Sequence, residues 1–222
     1  MGTDCAMRTL AAIALICTGS AAQAHPHIFI DAGLTAIVDE TGRLQAIKVT
    51  WAYDAFYSLL VTEDAGLDSD GNAVLTKDEE AQLRGFDMQW IEGYNGDLVA
   101  RLDGQPLELS GPRDATLIMR EGRLVTTHVR DVAGAPMLAG HSLSLKPYDP
   151  TYYTSYDVTM NVTVQGLEGC TVARNLPDLD AGMKQLQDAL SKLGRDQDAI
   201  EEGFPEVGEA FATDVEITCA PR

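Results

Sequence analysis

The pattern of apolar and polar residues predicts a mostly β chain that two helices interrupt early. Residues 27–38 and 44–51 are rich in Ile, Val and Phe with loose alternation, and the turn at 40–42 joins them into a predicted hairpin. Further strand patterns, punctuated by Gly and Pro, lie at residues 98–102, 107–109, 116–119, 124–129, 142–145, 156–164 and 215–219.

Helical periodicity replaces the strand pattern after the second predicted strand. Phe56, Leu59 and Leu60 recur at i, i+3 and i+4, which predicts the apolar face of a first helix. Residues 76–94 predict a second helix, which begins with a capping box of Thr76 and Glu79. Its inward residues are expected to be Leu83, Phe86, Trp90 and Ile91. Residues 178–193 predict an acidic helix near the C-terminus.

These elements predict an α+β fold in one domain with an insertion, which a length of 222 residues suits. We expect a mostly antiparallel, sandwich-like β domain at residues 25–175. An EF-hand-like helix pair is inserted into it at about residues 54–94. Residues 176–222 are expected to form a helical C-terminal extension.

The first 24 residues predict a signal peptide and therefore export to the periplasm. Arg8 supplies a short positive start, and residues 9–18 form an apolar run that is too short for a structural membrane span. Ala22-Gln23-Ala24 fits a signal-peptidase site. Cleavage is therefore expected after Ala24.

Export also decides how the cysteines are interpreted. Cys170 and Cys219 are the two that remain after cleavage, and in an oxidising compartment they most simply form a disulfide. The alternative is a pair of thiolate metal ligands, although the short Cys-x-x-Cys spacing of such sites is missing. The disulfide would tie the C-terminal extension to the β domain.

The charge of the chain favours cations as partners. It has 16 Lys and Arg against 34 Asp and Glu, a formal net charge of −18. Such a surface repels nucleic acid and anionic lipid, so we expect no nucleic-acid partner and at most peripheral membrane contact. The sequence also lacks Gly-x-Ser-x-Gly, His-Glu-x-x-His and a glycine-rich phosphate loop, so an enzyme is not predicted.

Residues 68–79 have the spacing of a calcium-binding EF-hand loop. The predicted oxygen ligands are Asp68, Asp70, Asn72, the Val74 carbonyl, Thr76 and Glu79. Where the loop needs a left-handed backbone and favours glycine, this chain has Ala73, at a cost of about 1 kcal/mol. We therefore expect weak Ca²⁺ binding. The alternative is an acidic turn in which Thr76 and Glu79 only cap a helix.

After the expected cleavage the chain begins with His25-Pro26-His27, so an amine and two imidazoles lie within three residues. Nitrogen donors of this kind suit Ni²⁺, Co²⁺, Zn²⁺ or Cu²⁺. Pro26 has no N–H to lose, which excludes the square-planar amino-terminal chelate. Either His25 binds through amine and ring, or both imidazoles bind together with ligands such as His128 and His141. A flexible, exposed terminus is the alternative.

Three segments carry a family resemblance: His25-Pro26-His27-Ile28-Phe29-Ile30-Asp31, Trp51-Ala52-Tyr53-Asp54-Ala55-Phe56-Tyr57-Ser58 and Tyr148-Asp149-Pro150-Thr151-Tyr152-Tyr153. With the aspartate-rich loop and the Gly169-Cys170 pair, they resemble a bacterial family of periplasmic proteins, the domain of unknown function number one thousand and seven. The resemblance covers most of residues 25–175. It implies an auxiliary component of an ABC-type or nickel/cobalt-type metal uptake system.

The resemblance also implies roles for particular residues. His25 and His27 become candidate transition-metal ligands, and Asp149 is a further candidate from the Asp-Pro-Thr-Tyr-Tyr motif. That motif is expected to lie beside the N-terminus, although a simple turn covered by tyrosine rings is the alternative. Asp31 and Asp54 are candidates for orienting the imidazoles.

Three functions from different classes follow. The first is a periplasmic accessory protein that captures a divalent transition metal and passes it to an inner-membrane transporter. The second is a copper-binding protein or copper monooxygenase, in which an N-terminal histidine and a distant imidazole hold the metal. The third is a Ca²⁺-stabilised exported interaction domain.

Overall fold

The computed structural model describes residues 26–192 and 205–221, so the predicted signal peptide and His25 lie outside the described residues. In chain order the elements are β1 (Ile28–Val38), β2 (Leu44–Tyr53), α1 (Ala55–Asp64), α2 (Lys77–Leu83), β3 (Leu98–Leu102), β4 (Gln105–Pro106), β5 (Arg113–Arg120), β6 (Arg123–Asp131), β7 (Ser142–Pro147), β8 (Thr154–Asp157), β9 (Val162–Gln165), β10 (Cys170–Asn175), α3 (Leu179–Leu190), a short 3-10 helix (Gly208–Phe211) and β11 (Asp214–Cys219). No helix within these ranges has the length and apolar character needed to cross a membrane.

The first sheet has the strand order β5-β6-β2-β1-β8, and β9 also pairs with β1. β1 and β2 form the predicted antiparallel hairpin, whereas β8 and β9 run parallel to β1. The parallel register starts at Ile28 opposite Thr154. The segment after residue 147 is therefore brought to the beginning of β1.

The second sheet has the order β10-β11-β7-β3-β4, and all of its pairs are antiparallel. β11, the last strand of the chain, lies between β10 and β7, so residues 214–219 form an interior strand of this sheet. Cys170 and Cys219 are opposite each other on β10 and β11 and form a disulfide, which confirms the prediction.

The two sheets share one hydrophobic core. Leu34 and Val49 of the first sheet belong to the same buried cluster as Leu143, Leu145 and Ile217 of the second. Alternate residues of β1 and β2 face this core because successive side chains of a strand point to opposite sides. The coarse prediction of a mostly β domain with a few helices is confirmed.

The predicted first helix is present as α1, but its apolar residues do not face the core. Phe56, Leu59 and Leu60 have exposed fractions of 68%, 47% and 41%, whereas Ser58 and Thr62 are buried. Ser58 faces the sheet because its Oγ accepts the N–H of Leu124 on β6 at 2.9 Å and donates to the Asp54 carbonyl at 2.7 Å. Small hydroxyl side chains thus join the helix to the sheet, and the larger apolar ones are turned outward.

The second predicted helix is shorter than expected. α2 ends at Leu83, and the chain reaches Gly85 in a left-handed conformation with a φ of 81°. The segment 84–97 then crosses the inner face of the first sheet without forming a helix or strand. Ile91, which the periodicity placed inward, is 80% exposed. The prediction of a helix over residues 84–94 is therefore wrong.

Candidate functional site

The loop between α1 and α2 is built around the Asp68 carboxylate. Its Oδ1 accepts the Asn72 N–H at 3.0 Å, and its Oδ2 accepts the Ala73 N–H at 3.0 Å. Ala73 has a φ of 58°, the left-handed conformation in which a glycine is usual. The backbone of residues 68–73 therefore curls around one carboxylate.

Glu79 closes the other end of the loop. Its Oε2 accepts the N–H and the hydroxyl of Thr76, both at 2.8 Å, and its Oε1 accepts the Asp68 N–H at 3.3 Å. The predicted capping box is confirmed. The Thr76 backbone N–H, followed by the Thr76 hydroxyl, lowers the pKa of Glu79, so this carboxylate is ionised at neutral pH.

The other predicted ligands complete a closed turn. Asn72 donates from Nδ2 to Asp70 Oδ2 at 2.7 Å, and its Oδ1 accepts the Val74 N–H at 2.8 Å. Leu75 is buried and joins the loop to the core. The described residues contain no group of three or more His, Cys, Asp or Glu side chains that could hold a metal ion. A cation bound here would therefore have to draw the carboxylates away from their present N–H partners.

His27 lies beside the Asp-Pro-Thr-Tyr-Tyr motif, as expected. Its N–H donates to the Tyr153 carbonyl at 2.9 Å, and the centroids of the two rings are 4.8 Å apart. The parallel pairing of β1 with β8 produces this contact, because Ile28 and Thr154 are register partners. His25 lies outside the described residues.

Asp149 holds its own turn together. Its Oδ1 accepts the N–H and the hydroxyl of Thr151, both at 2.8 Å, and its Oδ2 accepts the Thr154 N–H at 3.0 Å. These hydrogen bonds match the alternative interpretation of the motif as a turn. A role in metal binding would have to compete with them.

Asp54 and Asp31 are also engaged by protein donors. Asp54 Oδ1 accepts the Tyr57 N–H at 2.9 Å, which caps α1, and its Oδ2 accepts the Phe29 N–H at 3.0 Å. Asp31 Oδ2 accepts Nη1 of Arg123 at 2.6 Å. Asp54 thus joins the start of α1 to the start of β1, and Asp31 joins β1 to β6.

The structure does not bring His128 and His141 to His27. His128 is opposite Val49, which is opposite Leu34, so it is level with a residue seven positions beyond His27 on β1. At about 3.3 Å per residue, that offset is roughly 23 Å along the strand. His141 precedes β7 in the second sheet, and its Nδ1 is 2.6 Å from Asp103 Oδ2. Neither histidine shares a site with His27.

A buried polar cluster, which the sequence did not predict, lies on the inner face of the first sheet. We define the buried cluster as Trp51, Tyr53, Asp87, Thr126 and His128. Asp87 Oδ2 accepts the hydroxyls of Tyr53 and Thr126, both at 2.8 Å. Thr126 is opposite Trp51, whose ring is 4.9 Å from that of His128. Three separate segments contribute these residues, so no local motif signals them.

Three atoms of the buried cluster have no hydrogen-bond partner among the described residues: Trp51 Nε1, Asp87 Oδ1 and His128 Nε2. Trp51 is 4% exposed and His128 is 1% exposed. Burial, reinforced by the charge of Arg130, lowers the pKa of His128 to about 4, so its imidazole is neutral at pH 7. Burial raises the pKa of Asp87.

A second buried acid adjoins this cluster. Asp97 Oδ2 accepts the Tyr156 hydroxyl at 2.8 Å, and the Tyr156 ring is 5.6 Å from that of Trp51. Burial raises the pKa of Asp97 to about 6 although two tyrosine hydroxyls donate to it. A carboxyl that is ionised at neutral pH is therefore kept in an apolar setting.

Trp90 covers the buried cluster. Its Nε1 donates to the Asp87 carbonyl at 2.9 Å, and its ring lies 5.6 Å from His128. The Arg130 guanidinium is 5.0 Å from the Trp90 ring centroid. Gly96 is required beneath the ring, because a Cβ at this position would lie 2.3 Å from a Trp90 carbon. The segment 84–97 thus closes the cluster from above.

Comparisons with known proteins identify the family but not a function. The family model for a protein of unknown function, DUF1007, matches residues 10–219, so the chain belongs to this family. The match extends beyond the residues that carry the sequence resemblance and includes β11. No curated protein and no solved structure matches the chain.

Proposed function

We propose that this member of the DUF1007 family is a divalent-metal-binding accessory protein of a transition-metal transport system. It would act in the periplasm, with Ca²⁺ in the loop 68–79 and a transition metal at His25 and His27. The observation that carries the proposal is the closed loop, in which backbone N–H groups hold Asp68 and Glu79 around a left-handed Ala73. The net charge of −18 supports cations as its ligands.

The chemistry of the loop favours a hard, large cation. Ca²⁺ takes 6–8 oxygen ligands, and this loop offers carboxylates at Asp68, Asp70 and Glu79 with the amide oxygen of Asn72. Leu75 is anchored in the core, so the loop is preformed on one side. The strain at Ala73 weakens the site, which suits a structural role better than sensing.

The transition-metal site would lie at the exposed start of β1. His27 is exposed and has the Tyr153 ring beside it. The other two described histidines, His128 and His141, lie in other parts of the fold. Ligands would therefore come from His25, His27 and the terminal amine rather than from the interior. Few fixed ligands mean modest affinity, and modest affinity suits delivery to an inner-membrane transporter, because delivery requires release.

Calorimetric titration with Ca²⁺ tests the loop. Asp68→Asn and Glu79→Gln should each abolish binding or weaken it at least tenfold. Asp78→Asn is the matched control, because Asp78 is exposed, lies in the same segment and is not a predicted ligand. Equal affinity in Glu79→Gln and Asp78→Asn would exclude the calcium site.

Titration with Ni²⁺, Co²⁺, Zn²⁺ and Cu²⁺ tests the histidines, using protein that starts at His25. His25→Ala with His27→Ala should abolish binding, whereas His141→Ala should leave it unchanged. Affinity that is unchanged in the double variant would refute the transition-metal site. If binding is lost when one residue is added before His25, the terminal amine is a ligand and the copper alternative is favoured. Peroxide-driven turnover by the copper-loaded protein then tests that alternative.

Export is tested separately. Mass spectrometry of protein from the periplasmic fraction should give a chain that begins at His25. Protein that keeps residues 1–24 in the cytoplasmic fraction would contradict the location and, with it, the free amine as a ligand.

An exported interaction domain is the second candidate, and one observation favours it. Phe56, Leu59 and Leu60 are exposed apolar residues of α1, and the backbone of exposed Phe29 is joined to the start of this helix through Asp54. Large exposed apolar side chains grouped together mark interaction sites. Loss of partner capture in Phe56→Ser with Leu60→Ser, with metal binding retained, would favour this candidate.

A further inference from the structure

We infer that a single buried water molecule bridges Trp51 Nε1, Asp87 Oδ1 and His128 Nε2, and that this water is an integral part of the fold. These three atoms are the buried side-chain polar atoms without a hydrogen-bond partner among the described residues. Leaving a buried polar group unsatisfied costs about 1–3 kcal/mol, so three in one cluster require a common explanation.

The three groups belong to one place in the fold. Trp51 and His128 lie on neighbouring strands with ring centroids 4.9 Å apart. Asp87 reaches the same place because its other oxygen accepts the hydroxyl of Thr126, the register partner of Trp51. One small molecule among these side chains would contact all three.

Water has the hydrogen-bonding capacity that these groups require. The Trp51 indole can only donate, and Asp87 Oδ1 can accept. The neutral His128 imidazole either accepts or donates at Nε2, depending on its tautomer. In both cases a water that accepts from Trp51 and donates to Asp87 makes three hydrogen bonds, the usual number for a buried water.

A metal ion is the competing occupant, since histidine with aspartate is a common ligand pair. The indole N–H of Trp51 presents its hydrogen to the site and has no lone pair to offer. Burial, followed by the charge of Arg130, lowers the pKa of His128, so the site already disfavours a positive charge. Both features disfavour a second cation.

Trp90, which covers the buried cluster, would keep such a water in place. The Trp90 ring meets the His128 ring edge-to-face and is held by its hydrogen bond to the Asp87 carbonyl, and Gly96 leaves room for it because glycine has no Cβ. The water can leave only when the segment 84–97 moves away from the sheet. Its residence time therefore reports on opening of this segment.

Crystallography at high resolution on the unmodified protein tests the inference directly. We expect one oxygen-sized peak at 2.7–3.2 Å from all three atoms, without anomalous signal. An anomalous peak at this position would show that the occupant is a metal ion and would overturn the inference. No peak, or direct contacts that satisfy the three atoms, would overturn the inference.

Deuteron relaxation dispersion, which counts long-lived internal waters, gives a second test in solution. Trp51→Phe removes the N–H while keeping a ring, and one long-lived water should be lost. Tyr57→Phe is the matched control, because it keeps a ring beside the Tyr53 ring and removes a half-buried hydroxyl that is not one of the three groups, and the count should not change. An unchanged count in Trp51→Phe would contradict the inference independently of any metal-binding result.

Discussion

The loop 68–79 and the buried cluster both depend on aspartates, but they are assembled in opposite ways. The loop gathers its carboxylates from twelve consecutive residues at the surface, where backbone N–H groups supply most of its hydrogen bonds. The buried cluster takes Asp87 from an irregular segment and its partners from β2 and β6. Apart from buried Leu75, the loop side chains can therefore be modified with little cost to the core, whereas those of the cluster cannot.

The largest difference between the two regions should appear on side-chain removal. Trp51→Ala should lower the free energy of unfolding by about 3–5 kcal/mol, because it leaves a cavity at a buried aromatic site. Val74→Ala in the loop should change it by less than about 0.5 kcal/mol, since Val74 is 63% exposed. Urea denaturation of both variants measures the contrast. Similar losses would mean that the loop is as strongly coupled to the core as Trp51.

The dependence of stability on pH should reveal the two buried titrating groups. The pKa of Asp97 is raised to about 6, so folding favours its protonated form and stability falls as pH rises from about 4 to 6. The pKa of His128 is lowered to about 4, so stability falls as pH drops from about 6.5 to 4. Over most of this window the two contributions oppose each other.

Substitution should separate these contributions. Asp97→Asn, which tolerates the left-handed φ of 48°, should be more stable than the parent at pH 7 by about 2–3 kcal/mol and equal to it near pH 4. His128→Gln should lose less stability than the parent between pH 6.5 and 4. Urea titrations across this range measure both differences. An Asp97→Asn variant whose advantage grows on acidification would contradict the assigned direction.

Calcium should stabilise the protein through the loop alone. If the proposed site exists, Ca²⁺ at 100 times its dissociation constant should raise the free energy of unfolding by about 2.7 kcal/mol. Glu79→Gln should remove this increment, and Trp51→Phe should keep it. Thermal melts with Ca²⁺ and with chelator provide the measurement. An increment retained in Glu79→Gln would place the binding outside the loop.

The smallest effect concerns the backbone of the loop. Ala73→Gly should stabilise the protein by about 1 kcal/mol and tighten Ca²⁺ binding, because glycine adopts the φ of 58° without strain. Ala65→Gly is the control: Ala65 has a φ of −80°, so glycine there should be neutral or destabilising. Equal responses at the two positions would show that the conformation of Ala73 carries no strain.

The same comparison explains what could be predicted from the sequence. Short-range sequence patterns are enough to predict the hairpin of β1 and β2 and the capping box of Thr76 and Glu79. The disulfide could be predicted because only two cysteines remain after the expected cleavage. The buried cluster depends on strand order and on how the segment 84–97 crosses the sheet. No spacing along the chain carries that information.

Apolar periodicity gives wrong predictions where polar contacts determine which residues of an element face the sheet. In α1 the hydroxyls of Ser58 and Thr62 face the sheet, because Ser58 satisfies an N–H of β6. β10 was not predicted because most of its residues are exposed, and it is a strand only through pairing with β11. Local apolar patterns cannot report contacts that depend on a partner far along the chain.

The position of β11 has a consequence for how the chain is made. β7 and β10 do not pair with each other, since the last strand lies between them. Until residues 214–219 emerge during synthesis, the second sheet is split into two parts and Leu143 and Leu145 lack their neighbours Ile217 and Val215. A chain that stops before residue 214 lacks the strand that joins β7 to β10, so we expect its second sheet to stay divided and its core to stay open.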